Sequence, residues 1–118
     1  MQQIKEPEVK RETQRLKQTA KNILAYLEKH PEKIRSARQF IDYYQETASS
    51  LLQKYIELQE TELGTEDVMR LKGNTIKAIG TLNTAFEKQF QKLMYSEMLD
   101  MEAEIRLLEQ TVKMENGI

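Results

Sequence analysis

A chain of 118 residues with 39% hydrophobic and 31% charged residues, four glycines and two prolines has the length for one domain with one core and the profile of a helical bundle. It contains no cysteine, which excludes disulfides, thiolate nucleophiles and cysteine metal sites. The net charge of −1 hides an uneven spread: ten Lys/Arg against five Glu up to Arg38 gives +5, and eight against fourteen Asp/Glu from Gln39 onward gives −6. No apolar run approaches the ~18 residues that span a bilayer and no signal peptide opens the sequence, so the chain as it stands is expected to be soluble.

In chain order, residues 1–6 are polar and are expected to fray. Pro7 suits the first turn of a helix, where its missing N–H is not needed. Val9, Leu16, Ala20, Ile23 and Leu27 mark one face of that helix, with Leu24 beside it. Its early part is dominated by Lys10, Arg11, Arg15, Lys17 and Lys21, so the first two turns are expected to be loosely held and Leu16 to Leu27 to pack. Pro31 closes the helix, because the residue before a proline avoids the helical region.

The longest uninterrupted stripe follows. Ile34, Ala37, Ile41, Tyr44, Ala48, Leu51, Tyr55 and Leu58 recur at alternating steps of three and four, which keeps them on one helical seam. Phe40, Leu52 and Ile56 widen it, so this helix needs partners on more than one side. Ile34 is its expected anchor, and Ser36 with Gln39 offers a capping box. Gly64 is expected to reverse the chain and Thr65 to cap the next helix, with Glu66 and Asp67 at its positive end.

The third helix carries Val68, Leu71, Ile76, Ile79, Leu82, Phe86, Phe90 and Leu93. Gly73 and Gly80 lie inside it on one face, either as surface positions, as points of close helix approach, as a hinge, or as room for a ligand. Around Tyr95 to Asp100 a break or sharp bend is expected, followed by a last helix whose stripe is Met101, Ile105, Leu108 and Val112. The whole reads as an all-α fold, an antiparallel bundle of three long helices plus a shorter C-terminal fourth helix, with helices near 7–29, 32–60, 65–94 and 98–114 in a single domain over 7–118. The alternative is a continuous rod of the last two helices, which leaves part of its stripe bare and invites dimerisation.

The residues outline no catalytic, cofactor or metal site. His30, the only histidine, sits at a helix end and is expected to interact with the helix dipole rather than to act as an acid or base. Glu97, Asp100 and Glu104 share a helical face, and carboxylates so spaced read as a solvated surface; a bundle metal site needs Glu-x-x-His or glutamates converging from several helices. Lys54, Arg70 and Lys72 could meet around the second turn, though nothing in their spacing makes them converge. The basic residues Lys5, Lys10, Arg11, Arg15, Lys17 and Lys21 are interspersed with Glu6, Glu8 and Glu12 and lack aromatic neighbours. Nucleic acid is therefore not expected as a partner, while an anionic surface, or simple attraction between this helix and the others, fits them.

The runs ARQFIDYYQETASSLLQKYIELQE, TIKAIGTLNTAFEKQFQKLM and EIRLLEQTVKMENG resemble the C-terminal domain of the XpaC-like family, the 5-bromo-4-chloroindolyl phosphate hydrolysis proteins, over roughly 31–117. The shared positions, such as Tyr44, Leu51, Leu52, Lys54 and Tyr55, the run Ala85-Phe86-Glu87-Lys88, and Ile105, Leu108 and Glu109, are mainly core positions. The family name implies hydrolysis of a chromogenic phosphate ester, and no family catalytic residue can be carried onto this sequence. Relatives are commonly bacterial, often have membrane-spanning segments before this domain, and are often encoded beside toxic-anion resistance proteins. They are also richer in Asp where this chain reads Met94-Tyr95-Ser96-Glu97-Met98-Leu99-Asp100. The resemblance thus implies the cytosolic part of a membrane-associated protein, its basic start near anionic lipid. Two functions are expected to compete: a non-catalytic interaction domain working through a protein partner or self-association of its helix faces, and a phosphoester hydrolase.

Overall fold

The computed structural model describes residues 6–117, so Lys5 and the rest of the expected flexible start before Glu6 lie outside the described residues. Among these the order is α1 (Pro7–Lys29), a 3-10 turn (Pro31–Lys33), a π-helical turn (Phe40–Tyr44), α2 (Gln45–Glu60), α3 (Glu66–Leu93) and α4 (Tyr95–Glu115), with no strand. The fold is all-α. Contacts set the directions of the helices. Glu12 meets Asn83, Arg15 meets Glu87 and Tyr26 meets Leu93, so α1 and α3 run parallel. Phe40 packs on Phe86 while Tyr55 and Ile56 cluster with Ile79, so α2 runs antiparallel to both.

The first turns of α1 are not loose. Val9 is 0% exposed and Thr13 only 4%. Because α1 lies alongside α3 from its first turn, Val9 lands against Tyr55, Ile56 and Ile79, and the lysines and arginines around it project to water. A second, larger cluster joins Leu16, Ile23 and Leu27 of α1 to Phe40, Ala48, Leu82, Phe86 and Leu93.

The long stripe is buried in part, and displaced. Ala37, Ala48 and Tyr55 are buried, but Ile34, its expected anchor, is 43% exposed, and the neighbouring Phe40 is buried completely. Ile34 lies outside the helix, in the turns at 34–37, and the stripe then passes through a π turn at Phe40–Tyr44. A π turn holds an extra residue, so it advances the inward face by about one position relative to an unbroken α-helix. Residues 31–37 form a 3-10 turn and further turns rather than a first stretch of α-helix, which begins at Arg38.

The reversal after α2 also differs from expectation. Glu62, at φ 58°, takes the left-handed conformation just past the helix end, and Gly64 has no such need. The Glu62 N–H donates to the Gln59 carbonyl and the Thr61 hydroxyl to the Leu58 carbonyl, which satisfies the last carbonyls of α2. Thr65 caps α3, its hydroxyl accepting from the Val68 N–H at 3.4 Å.

Gly73 and Gly80 mark neither a close approach nor a contact, since a Cβ placed on either meets nothing within 4 Å. Each lowers helix propensity by ~1 kcal/mol relative to alanine. Gly73→Ala and Gly80→Ala are each expected to raise stability by up to ~1 kcal/mol, additively, as measured by urea unfolding.

The helix breaks at Met94 (φ −94°, ψ 8°) and resumes at once as α4. The 28 residues of α3, Met94 and the 21 of α4 make a nearly straight rod. The molecule is 73 Å long, close to the ~75 Å that 50 helical residues span. Past its first turn α4 therefore runs beyond the three-helix bundle, and none of its residues is buried.

Candidate interaction surface

The apolar stripe of α4 is Met98, Met101, Ile105, Leu108 and Val112, at steps of 3, 4, 3, 4, and every one of them is exposed. On a helix this spacing makes one continuous seam about 21 Å long. The positions on either side of it are Glu97, Glu102, Glu104 and Glu109. With Asp100 and Glu115 against Arg106 and Lys113, α4 carries six acids and two bases, or −4.

The direction of α4 is fixed at its root. The half-buried Tyr26 hydroxyl donates to the Leu93 carbonyl at 3.2 Å and also to the Glu97 carboxylate. Lys33 Nζ donates to the same carbonyl at 3.0 Å and to Ser96 Oγ at 3.3 Å. These side chains satisfy the end of α3 and tie the first turn of α4 to α1. Burial, followed by the bond to Glu97, pushes the Tyr26 hydroxyl up to about 12, and the same bond holds Glu97 below the usual carboxylate range. The folded protein thus keeps the Tyr26 proton at pH values where an unfolded chain, with tyrosine near 10, releases it. The stability from this bond is complete below about pH 10 and is lost as pH rises toward 12. For Glu97 the sign reverses, and its share is lost as pH falls through its lowered value. Tyr26→Phe is expected to cost ~1 kcal/mol at neutral pH and to flatten the alkaline limb of a stability-against-pH curve.

A second apolar surface lies between α1 and α2. Leu16, Ala20 and Leu24 form one wall and Ala48 and Leu52 the other, above Phe86 of α3, around a groove of about 440 Å³. The groove continues past Leu24 and Ala25 to Ile34 and Ile41. Lys17 and Lys21 stand on its α1 rim, with Gln45 and Ser49 opposite.

The other residues singled out in the sequence are dispersed. His30 ends α1: its backbone N–H donates to the Tyr26 carbonyl, its ring lies 4.5 Å from that of Tyr26, and its Nδ1 is 3.4 Å from Glu32. Asp100 and Glu104 lie exposed on α4, and only Glu97 of that trio makes a tertiary contact. No three His, Asp or Glu among the described residues group as a metal site. Arg70 pairs with Asp67 of its own helix, and Lys54 is exposed on α2. The basic residues of α1 divide: Lys10, Lys17 and Lys21 share one helical face, while Arg15 is bound to Glu87 at 2.7 Å. An open groove of about 480 Å³ beside α3 presents Tyr44, Thr81, Thr84, Lys88 and Lys92, which supply hydroxyls and cations but no carboxylate.

Sequence reasoning missed one buried polar group. Asn83 is 0% exposed, and its amide donates to the Glu12 carbonyl at 3.0 Å and to the Glu12 carboxylate at 2.6 Å. Thr13 is buried on the facing helix, and Thr13 Oγ1, Asn83 Oδ1 and the Tyr55 hydroxyl are buried without a hydrogen-bond partner among the described residues. Burial also pushes the Tyr55 hydroxyl up. The polar pair divides the apolar cluster around Val9 from the one around Phe86 and so fixes the register of α1 on α3. Its only sequence signal was a polar residue on the helical face marked by Ile79, Leu82 and Phe86.

The sequence matches the family of 5-bromo-4-chloroindolyl phosphate hydrolysis proteins over residues 1–108. The chain belongs to this family. The match takes in all of the three-helix bundle, including α1, which the resemblance beginning near Pro31 had left out, and it ends at Leu108 inside the bare stripe of α4. No curated protein and no solved structure matches the chain. Among the described residues no helix is long and apolar enough to cross a membrane.

Proposed function

We propose that this member of the XpaC-like family is a non-catalytic helical interaction domain that works by docking the apolar face of α4. One observation carries the reading: α4 presents a five-residue apolar seam, and among the described residues none of it is buried. A helix of this length without tertiary packing is marginal in water, and a contiguous apolar face favours a partner surface that covers it. The anchoring of its first turn by Tyr26 and Lys33 supports the same reading, because it presents the seam in a fixed direction.

The second reading is a phosphoester hydrolase, favoured by the family description and by Lys88 and Lys92 beside Tyr44. Phosphoryl transfer needs cations placed on the transferring oxygens and a group that positions the nucleophile. The Lys88–Lys92 groove offers the first of these alone. Purified chain assayed with 5-bromo-4-chloroindolyl phosphate and Mg²⁺ or Mn²⁺ is expected to release product no faster than buffer plus metal. Turnover above that background that falls in Lys88→Ala or Lys92→Ala establishes the hydrolase reading instead.

A further inference from the structure

We infer that the partner of α4 is a second copy of this chain, each copy laying its α4 in the α1/α2 groove of the other. This rests on the docking role proposed for α4. Three observations select this occupant.

The first is length. The groove wall runs along α1 from Leu16 to Glu28, about 18 Å, and continues to Ile34, which matches the ~21 Å seam from Met98 to Val112. The second is charge. Two α4 helices packed on each other bring Glu97, Glu102, Glu104 and Glu109 against their own copies, which is repulsive in either orientation. The groove lining instead carries Lys17 and Lys21 against one acid, Glu28, and α1 as a whole carries six bases and three acids, or +3, against −4 on α4. The third is closure. Arg15 stands level with Glu87 and Tyr26 with Leu93 and Glu97, so the groove lies beside α3 from about Phe86 to Glu97. When two α3–α4 rods lie antiparallel about a two-fold axis near Met98, the seam centred on Ile105 falls at the groove level of the other rod. Both contacts then form together, and the assembly closes as a dimer.

Light scattering on the full chain is expected to give twice the 13.9 kDa of one copy; a monomer overturns the proposal. Leu24→Glu in the groove and Ile105→Glu on the seam, both exposed positions that leave the bundle core untouched, are each expected to weaken the dimer about 30-fold or more. A dimer indifferent to Leu24→Glu overturns it. The absence of native cysteine permits a sharper test. The double variant Leu24→Cys, Ile105→Cys is expected to oxidise to a covalent dimer. Ile105→Cys alone is expected not to, because the two copies of Ile105 stand about 22 Å apart in this arrangement. Efficient cross-linking of the single variant means that α4 pairs with α4, and an intramolecular disulfide in the double variant means that α4 folds back; either result overturns the proposal. A monomeric chain that also fails to hydrolyse the indolyl phosphate leaves the docking role intact with a different partner, whereas intrinsic turnover removes that role.

Discussion

Phe86→Ala is expected to cost about 3–5 kcal/mol, the range for deleting a fully buried aromatic ring. The Phe86 side chain is 1% exposed and meets Phe40 edge-on, ring centres 4.8 Å apart at 76°. It is also the point where all three bundle helices converge, with Leu16 from α1 and Ala48 from α2 in the same cluster. Against the ~5–15 kcal/mol that holds a domain folded, such a loss takes a large share of the total. Urea unfolding followed by circular dichroism checks it. A loss under ~1 kcal/mol means that the three helices do not share this core.

Asn83→Asp is expected to be as damaging, for an electrostatic reason. The exchange keeps the shape but replaces the amide that donates to Glu12 with an oxygen facing the same carboxylate and carbonyl. A buried charge that loses its partners costs about 3–5 kcal/mol. Burial and the Glu12 charge both favour the protonated acid, so the folded-state pKa of the new carboxyl rises above the ordinary ~3.9. A raised carboxyl pKa makes the folded state bind the extra proton, so the penalty grows as pH rises through that range and is relieved in acid. Asn83→Leu removes the polar group together with its unpartnered oxygen and is expected to cost less than Asn83→Asp at pH 7. If the two variants are equally unstable at pH 7 and Asn83→Asp shows no acid recovery, the register contact is not electrostatic.

Periodicity revealed which faces are apolar. Ile79, Leu82, Phe86 and Leu93 stand out at helical spacing and are buried in the structure. Local chemistry marked the ends: Pro31 after α1, and Thr65 with its acidic neighbours before α3. What the pattern could not carry was phase and partner. Ile34 falls in the turns before the helix and is exposed, while the π turn at Phe40–Tyr44 brings Phe40 inward, and no residue in FIDYY announces it. Val9 and Thr13 stand among charges and look loose, yet the parallel course of α1 along α3 buries them. Asn83 reads as a defect in a stripe until Glu12 is seen across from it. The seam of α4 was plain as a seam, but a seam records only that something should cover it. The groove between α1 and α2 is built from three helices distant in sequence, so neither it nor its fit to α4 could be read before the fold was known.

Past its first turn, α4 has no partner among the described residues. Hydrogen exchange of backbone amides, measured over a dilution series, tests it most directly, because protection reports the local opening free energy. Met101 to Val112 are expected to show bundle-like protection in concentrated protein, falling to rapid exchange on dilution to monomer, while the α3 amides from Ile79 to Phe86 stay protected throughout. Protection of α4 that matches α3 in the diluted monomer contradicts it.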